Sequence, residues 1–299
     1  MLDCTFFLYE SEDDAKRGVK AGGTGFAIGL QSEAGLDVTY FYGVSNWHVI
    51  RNCPVVRVRT KNGRTDLFNF GPEDWHFDKN GDDLAVVLLN PNFEIHSLAP
   101  IPTALIQRPE VLFDPAQCNI GLGDDVFLLG RFVDLDEGPT ILPVARFGNL
   151  AAMPTPIQQE GPAKASRATY CLDMHSRGGF SGSPVFVYKT PGSDITYNLQ
   201  HGKPDDRTLL LLLGVHSGQF PEEWKVKGKA GDEYVKGLSG MTTAVPSWRI
   251  LDLLASEVLY TQRAEADKRW AATIERESNG AVAELAAQRA DSTPGVSDG

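Results

Sequence analysis

The stretch SRGGFSGSPVF, residues 176–186, decides how the rest of the chain is read. Glycines at 178, 179 and 182, followed by Ser-Pro and then Val-Phe, describe a tight turn that runs directly into a strand. A serine in such a turn, Ser181, can present its Oγ while backbone N–H groups converge on the oxygen of a carbonyl under attack. Glycine permits that approach because no Cβ intervenes. The N–H groups of Gly179 and Ser181 are the candidate oxyanion hole.

Outward from this turn, short apolar or alternating runs follow one another between Gly25 and Val245: GFAIGL, VTYFYGVSN, VVRVRT, LAVVLL, DVFLLGRF, SPVFVY and TLLLLLGVHS. Each is closed by Gly, Asn, Asp or Pro, which is the pattern of strands in a sandwich or barrel. A Pro-interrupted, weakly periodic segment from about residue 101 to 119 suits a connection between two halves, each expected to hold about six strands. The fold class expected is all-β, with two six-stranded antiparallel barrels and a C-terminal α-helical extension. The expected boundaries are 1–110 for the first barrel half, 111–246 for the second, 247–289 for the helical extension and 290–299 for a disordered tail.

The 299 residues carry Lys+Arg 28 against Asp+Glu 39, a net charge of -11 that disfavours an electrostatic grip on nucleic acid or anionic lipid. A peptide or protein partner is the natural alternative. The N-terminus lacks a basic region followed by an apolar core, and no apolar run approaches the ~18 residues needed to span a bilayer, so a cytoplasmic location is expected. Cys4, Cys53, Cys118 and Cys171 show no paired short spacing, which makes free thiols the expectation and a metal site or cofactor an unnecessary one.

Two further motifs supply what Ser181 needs. A serine hydroxyl is a weak nucleophile until an imidazole that titrates near neutral pH can take its proton. In GVSNWHVI, residues 43–50, His48 follows an aromatic and β-branched strand and is the candidate base. In NGDDLAVVLL, residues 80–89, an Asn-Gly turn delivers Asp82 and Asp83 just before a buried strand, so one carboxylate can accept the imidazole N–H and fix its tautomer. Glycine does not follow at 183, where Ser183 stands, so the run is not the G-x-S-x-G elbow of α/β-hydrolases.

With His, Asp and Ser in this order, the chain resembles the trypsin-like serine peptidases of the chymotrypsin fold over roughly residues 23–254. GTGFAIG resembles the first strand of bacterial members, S-N-W-H-V their histidine motif, and GMTTAVPSWRILDLL their last strand and C-terminal helix. Family members read D-L-A-[VL]-L at the acid, which selects Asp83. The resemblance implies an endopeptidase working through an acyl-enzyme at Ser181, with His48 as base and Asp83 as the residue that orients it. Local resemblance is to bacterial glutamyl endopeptidases, whose S-G-S-P-V-F is followed by G-I-H-W-G-G where this chain has GVHSGQ.

That likeness implies a pocket wall of His216, Ser217 and Gly218, with Ser176 at the position of a hydroxyl residue that helps bind a substrate carboxylate. His175 and Arg177 add positive potential, so a preference for Glu or Asp before the scissile bond is expected. His175 stands where trypsin has an acid, which disfavours cleavage after Arg or Lys. Phe180 stands where extracellular members have the aspartate that pairs with a new N-terminus, so activation by N-terminal cutting is not expected.

After Pro246, Ser247 is a candidate N-cap, and Ile250, Leu251, Leu254, Val258 and Leu259 recur at helical spacing, giving an amphipathic helix interrupted at Asn279-Gly280. The polar, Gly- and Pro-rich segments 154–166 and 219–240, with the C-terminal helix, are candidate contacts for a regulatory protein partner. Two other functions fit the same motifs: a catalytically silent scaffold of this fold, and an effector peptidase of a stress or antiviral system that a partner activates.

Overall fold

In the computed structural model the described residues are 2–112, 114, 120–132, 141–159, 161–175, 178–193, 199, 202–203, 208–228 and 231–291. Cys118, Ser176, Arg177 and the tail from 292 onward lie outside them. Chain contacts divide the protein into two units, Met1–Leu30 with Tyr40–Leu253, and Gln31–Thr39 with Leu254–Gly299.

The first unit holds both β systems. The N-terminal one contains β1 (Thr5–Tyr9), β2 (Ala21–Gln31), β3 (Thr39–Ser45), β4 (Val55–Arg59), β5 (Thr65–Phe68) and β6 (Ala85–Leu89), in the order β5-β4-β1-β2-β3-β6. A two-residue strand, β7 (Ile101–Pro102), pairs in parallel with β2 and was not expected. Helix α1 (Glu12–Arg17) follows β1 and α2 (Trp47–Ile50) follows β3. β1 explains how five consecutive residues can all be buried: Phe6 and Leu8 enter one core with Val56, Val58, Val87 and Leu89, whereas Phe7 and Tyr9 enter another with Ala15, Val55 and Ile141. The strand's two-residue period thus serves two apolar faces.

The connection includes the single helical turn α3 (Pro109–Leu112). Beyond it, β8 (Asp125–Gly130), β9 (Val144–Gln158), β10 (Ser166–Asp173), β11 (Pro184–Lys189), β12 (Leu209–Gly228) and β13 (Gly231–Pro246) close into a barrel in the order β10-β13-β12-β11-β8-β9. The expected all-β architecture of two six-stranded systems with a helical extension is therefore present, and the second is a closed barrel.

Segments read as loops are in part strands. β9 extends to Gln158 and β10 begins at Ser166, so most of the segment 154–166 belongs to strands or borders them. β12 and β13 pair from Gly214↔Pro246 to Gly228↔Gly231, with register shifts at His216/Gly218 and Gln219/Pro221, so 219–228 and 231–240 form a two-stranded ribbon. Continuous ladder bonding there overrides the weak strand propensity of its Gly, Pro, Lys and Glu residues.

At the C-terminus, α4 (Trp248–Leu254) belongs to the first unit up to Leu253, and α5 (Glu257–Asp291) to the second. The expected single helix breaks at Ala255-Ser256, and Ser256 accepts the Tyr260 N–H through its carbonyl at 2.9 Å. Asn279-Gly280 does not interrupt α5, which also takes in Ala290 and Asp291 of the expected tail. One glycine costs a helix about 1 kcal/mol, and the Ala- and Leu-rich sequence that follows offsets it. Ile250, Leu254 and Leu259 are buried as the spacing predicts, whereas Val258 is exposed. Within the second unit, Ser32 Oγ donates to Asp267 Oδ1 at 2.9 Å and Arg263 donates to the Leu254 carbonyl at 2.8 Å.

Candidate active site

The site is assembled where the end of β3, the start of β6 and the glycine-rich turn before β11 meet around β2. His48 sits on α2, entered through Asn46 in extended backbone conformation. Asn46 is fully buried and its Nδ2 donates to the Asp83 carbonyl at 2.8 Å, which ties the start of α2 to the residues that precede β6. The His48 backbone N–H donates to Asp83 Oδ1 at 2.9 Å, and His48 Nδ1 lies 2.5 Å from Asp83 Oδ2. Asp83 is wholly buried, and His48 keeps 18% of its side chain exposed. A carboxylate facing Nδ1 holds the hydrogen there, which leaves Nε2 as the proton acceptor.

Asp82 is turned elsewhere. Its Oδ1 accepts from Gln159 Nε2 at 3.2 Å, and its Oδ2 lies 3.2 Å from Arg249 Nε in an ion-pair contact. Only one of the two adjacent carboxylates thus meets the imidazole.

The nucleophile turn is braced by Thr24 of β2. The Thr24 N–H donates to the Ser181 carbonyl at 2.9 Å, its hydroxyl donates to the Gly179 carbonyl at 2.8 Å, and its own carbonyl accepts from Ser45 Oγ at 2.8 Å. Gly182 has φ +86, and a Cβ on it would stand 2.0 Å from the Thr24 carbonyl oxygen and 2.2 Å from Ser45 Oγ. No other residue fits that approach. Gly23 in turn lies against both Val49 of α2 and the Ser181 carbonyl, so the His48 helix and the Ser181 turn flank the same backbone. Among the described residues, the N–H groups of Gly179 and Ser181 donate to no acceptor. Phe180 between them is fully buried.

β12 completes the surroundings. The His216 carbonyl accepts from Gly182 N–H and its N–H donates to the Ser183 carbonyl, both at 2.9 Å. Its imidazole is 2% exposed, with Nε2 2.5 Å from the Thr242 hydroxyl, which itself donates to the Gly218 carbonyl at 2.5 Å. Ser217 Oγ lies 3.1 Å from Thr243 Oγ1. His175 is exposed beside Gly240. Of the expected pocket residues, Ser176 and Arg177 fall outside the described residues.

Burial, with the nearby charge of His48 adding to it and a contact to the Phe180 backbone opposing it, pushes the His216 pKa down from 6.5 to about 4. His216 is therefore neutral at pH 7. Between those values the unfolded chain takes up a proton that the folded chain refuses, so stability present above pH 6.5 is lost as pH falls toward 4. The loss is on the order of 3 kcal/mol. Urea unfolding at pH 7 and pH 4.5 should show this slope in wild type and a flatter one in His216→Asn; equal slopes would count against a neutral buried imidazole.

The chain matches no protein-family model and no curated protein. Among solved structures it is similar to the HtrA-type protease AlgW with tripeptide, at 15% identity and TM-score 0.45 over 84% of this chain and 58% of that one. It is similar to the MamO protease domain from Magnetospirillum magneticum at 17% identity and TM-score 0.45, over 85% of this chain and 97% of that one. To Deg5 the values are 13% and 0.46, over 84% and 87%. The chain spans 58% of the length of the AlgW chain.

Proposed function

We propose that the chain is a serine endopeptidase in which Ser181 is the nucleophile, His48 the general base, Asp83 the residue that orients it, and the N–H groups of Gly179 and Ser181 the oxyanion hole. The observation that carries this reading is the paired contact of the buried Asp83 carboxylate with both the backbone N–H and Nδ1 of His48. His48 Nε2 takes the Ser181 proton as Oγ adds to the peptide carbonyl, and the charge that develops on oxygen is met by the two N–H groups. Collapse expels the amine, which leaves with the proton from His48. Water then repeats the sequence on the acyl-enzyme and releases the acid.

A preference for Glu or Asp before the scissile bond is the finer part of this reading, with His216, Ser217, Gly218 and Ser176 as the pocket. A neutral, buried His216 already in contact with the Thr242 hydroxyl has only a neutral hydrogen bond to exchange, which is worth less than a charge-assisted one by about 1–2 kcal/mol. Peptides differing only in Glu, Gln, Arg, Phe or Ala at that position are expected to be cleaved fastest after Glu, by no more than about tenfold over Gln. Equal or faster cleavage after Arg or Phe would contradict the acidic preference.

The same proposal sets the enzyme in the cytoplasm, in keeping with free Cys4, Cys53 and Cys171. A regulatory protein partner is proposed to meet the far part of the β12–β13 ribbon, where Trp224 and Tyr234 are 48% and 66% exposed. The turn at 159–165 is already committed to Asp83.

A further inference from the structure

Gln159 opens the turn between β9 and β10, in the second barrel, yet its side chain ends on the acid that precedes β6. It is 5% exposed. Its Oε1 accepts the Asp83 backbone N–H at 2.9 Å. Its Nε2 donates to Asp82 Oδ1 at 3.2 Å and to Thr169 Oγ1 at 2.9 Å, where the Thr169 hydroxyl is turned to the Arg167 carbonyl at 2.9 Å and so must accept. Every polar atom of the carboxamide is engaged, and a flip would set NH₂ against an N–H and oxygen against a carboxylate. The orientation is therefore fixed.

The backbone closes equally tightly. A Cβ on Gly161 would lie 2.9 Å from the Asp83 nitrogen, so the turn rests directly on the Asp82-Asp83 peptide. On the other side of Asp82, Arg249 pairs with it and with Asp252 at 3.2 Å each, and Asp252 with Arg108 at 3.3 Å. Asp82 is held away from His48 from two directions.

We propose that Gln159 is a positioning residue for the triad acid: by gripping the Asp83 N–H and the Asp82 carboxylate together, it determines which of two adjacent carboxylates faces His48. The geometry of the base in the first sheet then depends on the β9–β10 turn of the second barrel. This inference rests on the reading of His48, Asp83 and Ser181 as a triad. Gln159 touches no reacting atom and acts through Asp83 alone.

The test uses Gln159→Leu, which keeps the bulk and loses the hydrogen bonds, and Thr169→Val, which keeps Gln159 and its bonds to Asp83 and Asp82 but removes the hydroxyl that accepts from its amide. With rates normalised to sites titrated by a fluorophosphonate, Gln159→Leu is expected to lower kcat at least about tenfold with KM within about twofold, and Thr169→Val to lower kcat less, in the same direction. A purely structural residue would reduce the number of titrated sites and leave kcat per site unchanged. The second readout is the low-field Nδ1–H proton resonance of His48, recorded in a Ser181→Ala background, where turnover is irrelevant. It is expected to shift or broaden in both variants. Unchanged kcat per site with an unmoved resonance overturns the proposal, and if Gln159→Leu does not fold, Thr169→Val alone decides by the same two measurements. A wild-type chain that hydrolyses nothing would overturn the triad reading instead, while the resonance still reports on Gln159.

Discussion

Replacing Ser181 or His48 with Ala is expected to lower kcat by about 10⁶-fold for any peptide the chain cleaves, and replacing both is expected to cost little more than either alone. In the proposed mechanism the two side chains act on one proton. Without His48 the Ser181 hydroxyl keeps it, and without Ser181 the imidazole has nothing to activate. Ser181→Ala leaves the contacts that hold the site, since the Thr24 bonds to Gly179 and Ser181 use backbone carbonyls of the turn. His48→Ala keeps the main-chain N–H bond to Asp83 but removes the Nδ1 contact of a buried carboxylate. The melting temperature should therefore stay close to wild type in Ser181→Ala and fall in His48→Ala. Additive losses in the double variant would mean that the residues work independently, against the mechanism given.

Asp83→Asn is expected to lower kcat by about 10⁴-fold with a small change in KM. The substitution conserves volume at a fully buried position and leaves an oxygen for the His48 backbone N–H. Its NH₂ group would then face Nδ1 across the 2.5 Å contact, which forces the hydrogen onto Nε2, where it blocks uptake of the Ser181 proton. Asp82→Asn is the internal comparison. Asp82 faces Gln159 and Arg249, so its loss is expected to remain within about tenfold by weakening the support of Asp83 only. A greater loss from Asp82→Asn than from Asp83→Asn would reverse the assignment of the acid.

What was legible in the sequence is what local chemistry encodes. The glycines around Ser181, the strand before His48 and the Asn-Gly turn before Asp82-Asp83 each belong to a short segment whose conformation follows from its own residues. Gln159 was not legible because its partner Asp83 is 76 residues away in the chain and its own neighbours are a Pro- and Gly-rich turn that could do anything. Thr24, 155 residues from Gly179, was hidden in the same way inside an ordinary β-strand pattern. His216 could be read either as a pocket residue or as a histidine hydrogen-bonded in the core, but not as the partner of Thr242, because a run of apolar residues does not say which neighbour closes over it. The paired ribbon of β12 and β13 escaped notice for the opposite reason: its residues are poor strand formers held by their ladder rather than by propensity.

The most direct measurement is the mass of the intact chain, followed by peptide mapping, after exposure to a fluorophosphonate, which reacts readily with a serine activated in this manner. A single adduct on Ser181, retained in Asp82→Asn and lost in His48→Ala, is the predicted result. No adduct on the wild-type chain, an adduct on another residue, or labelling of Ser181 that persists without His48 would contradict the account.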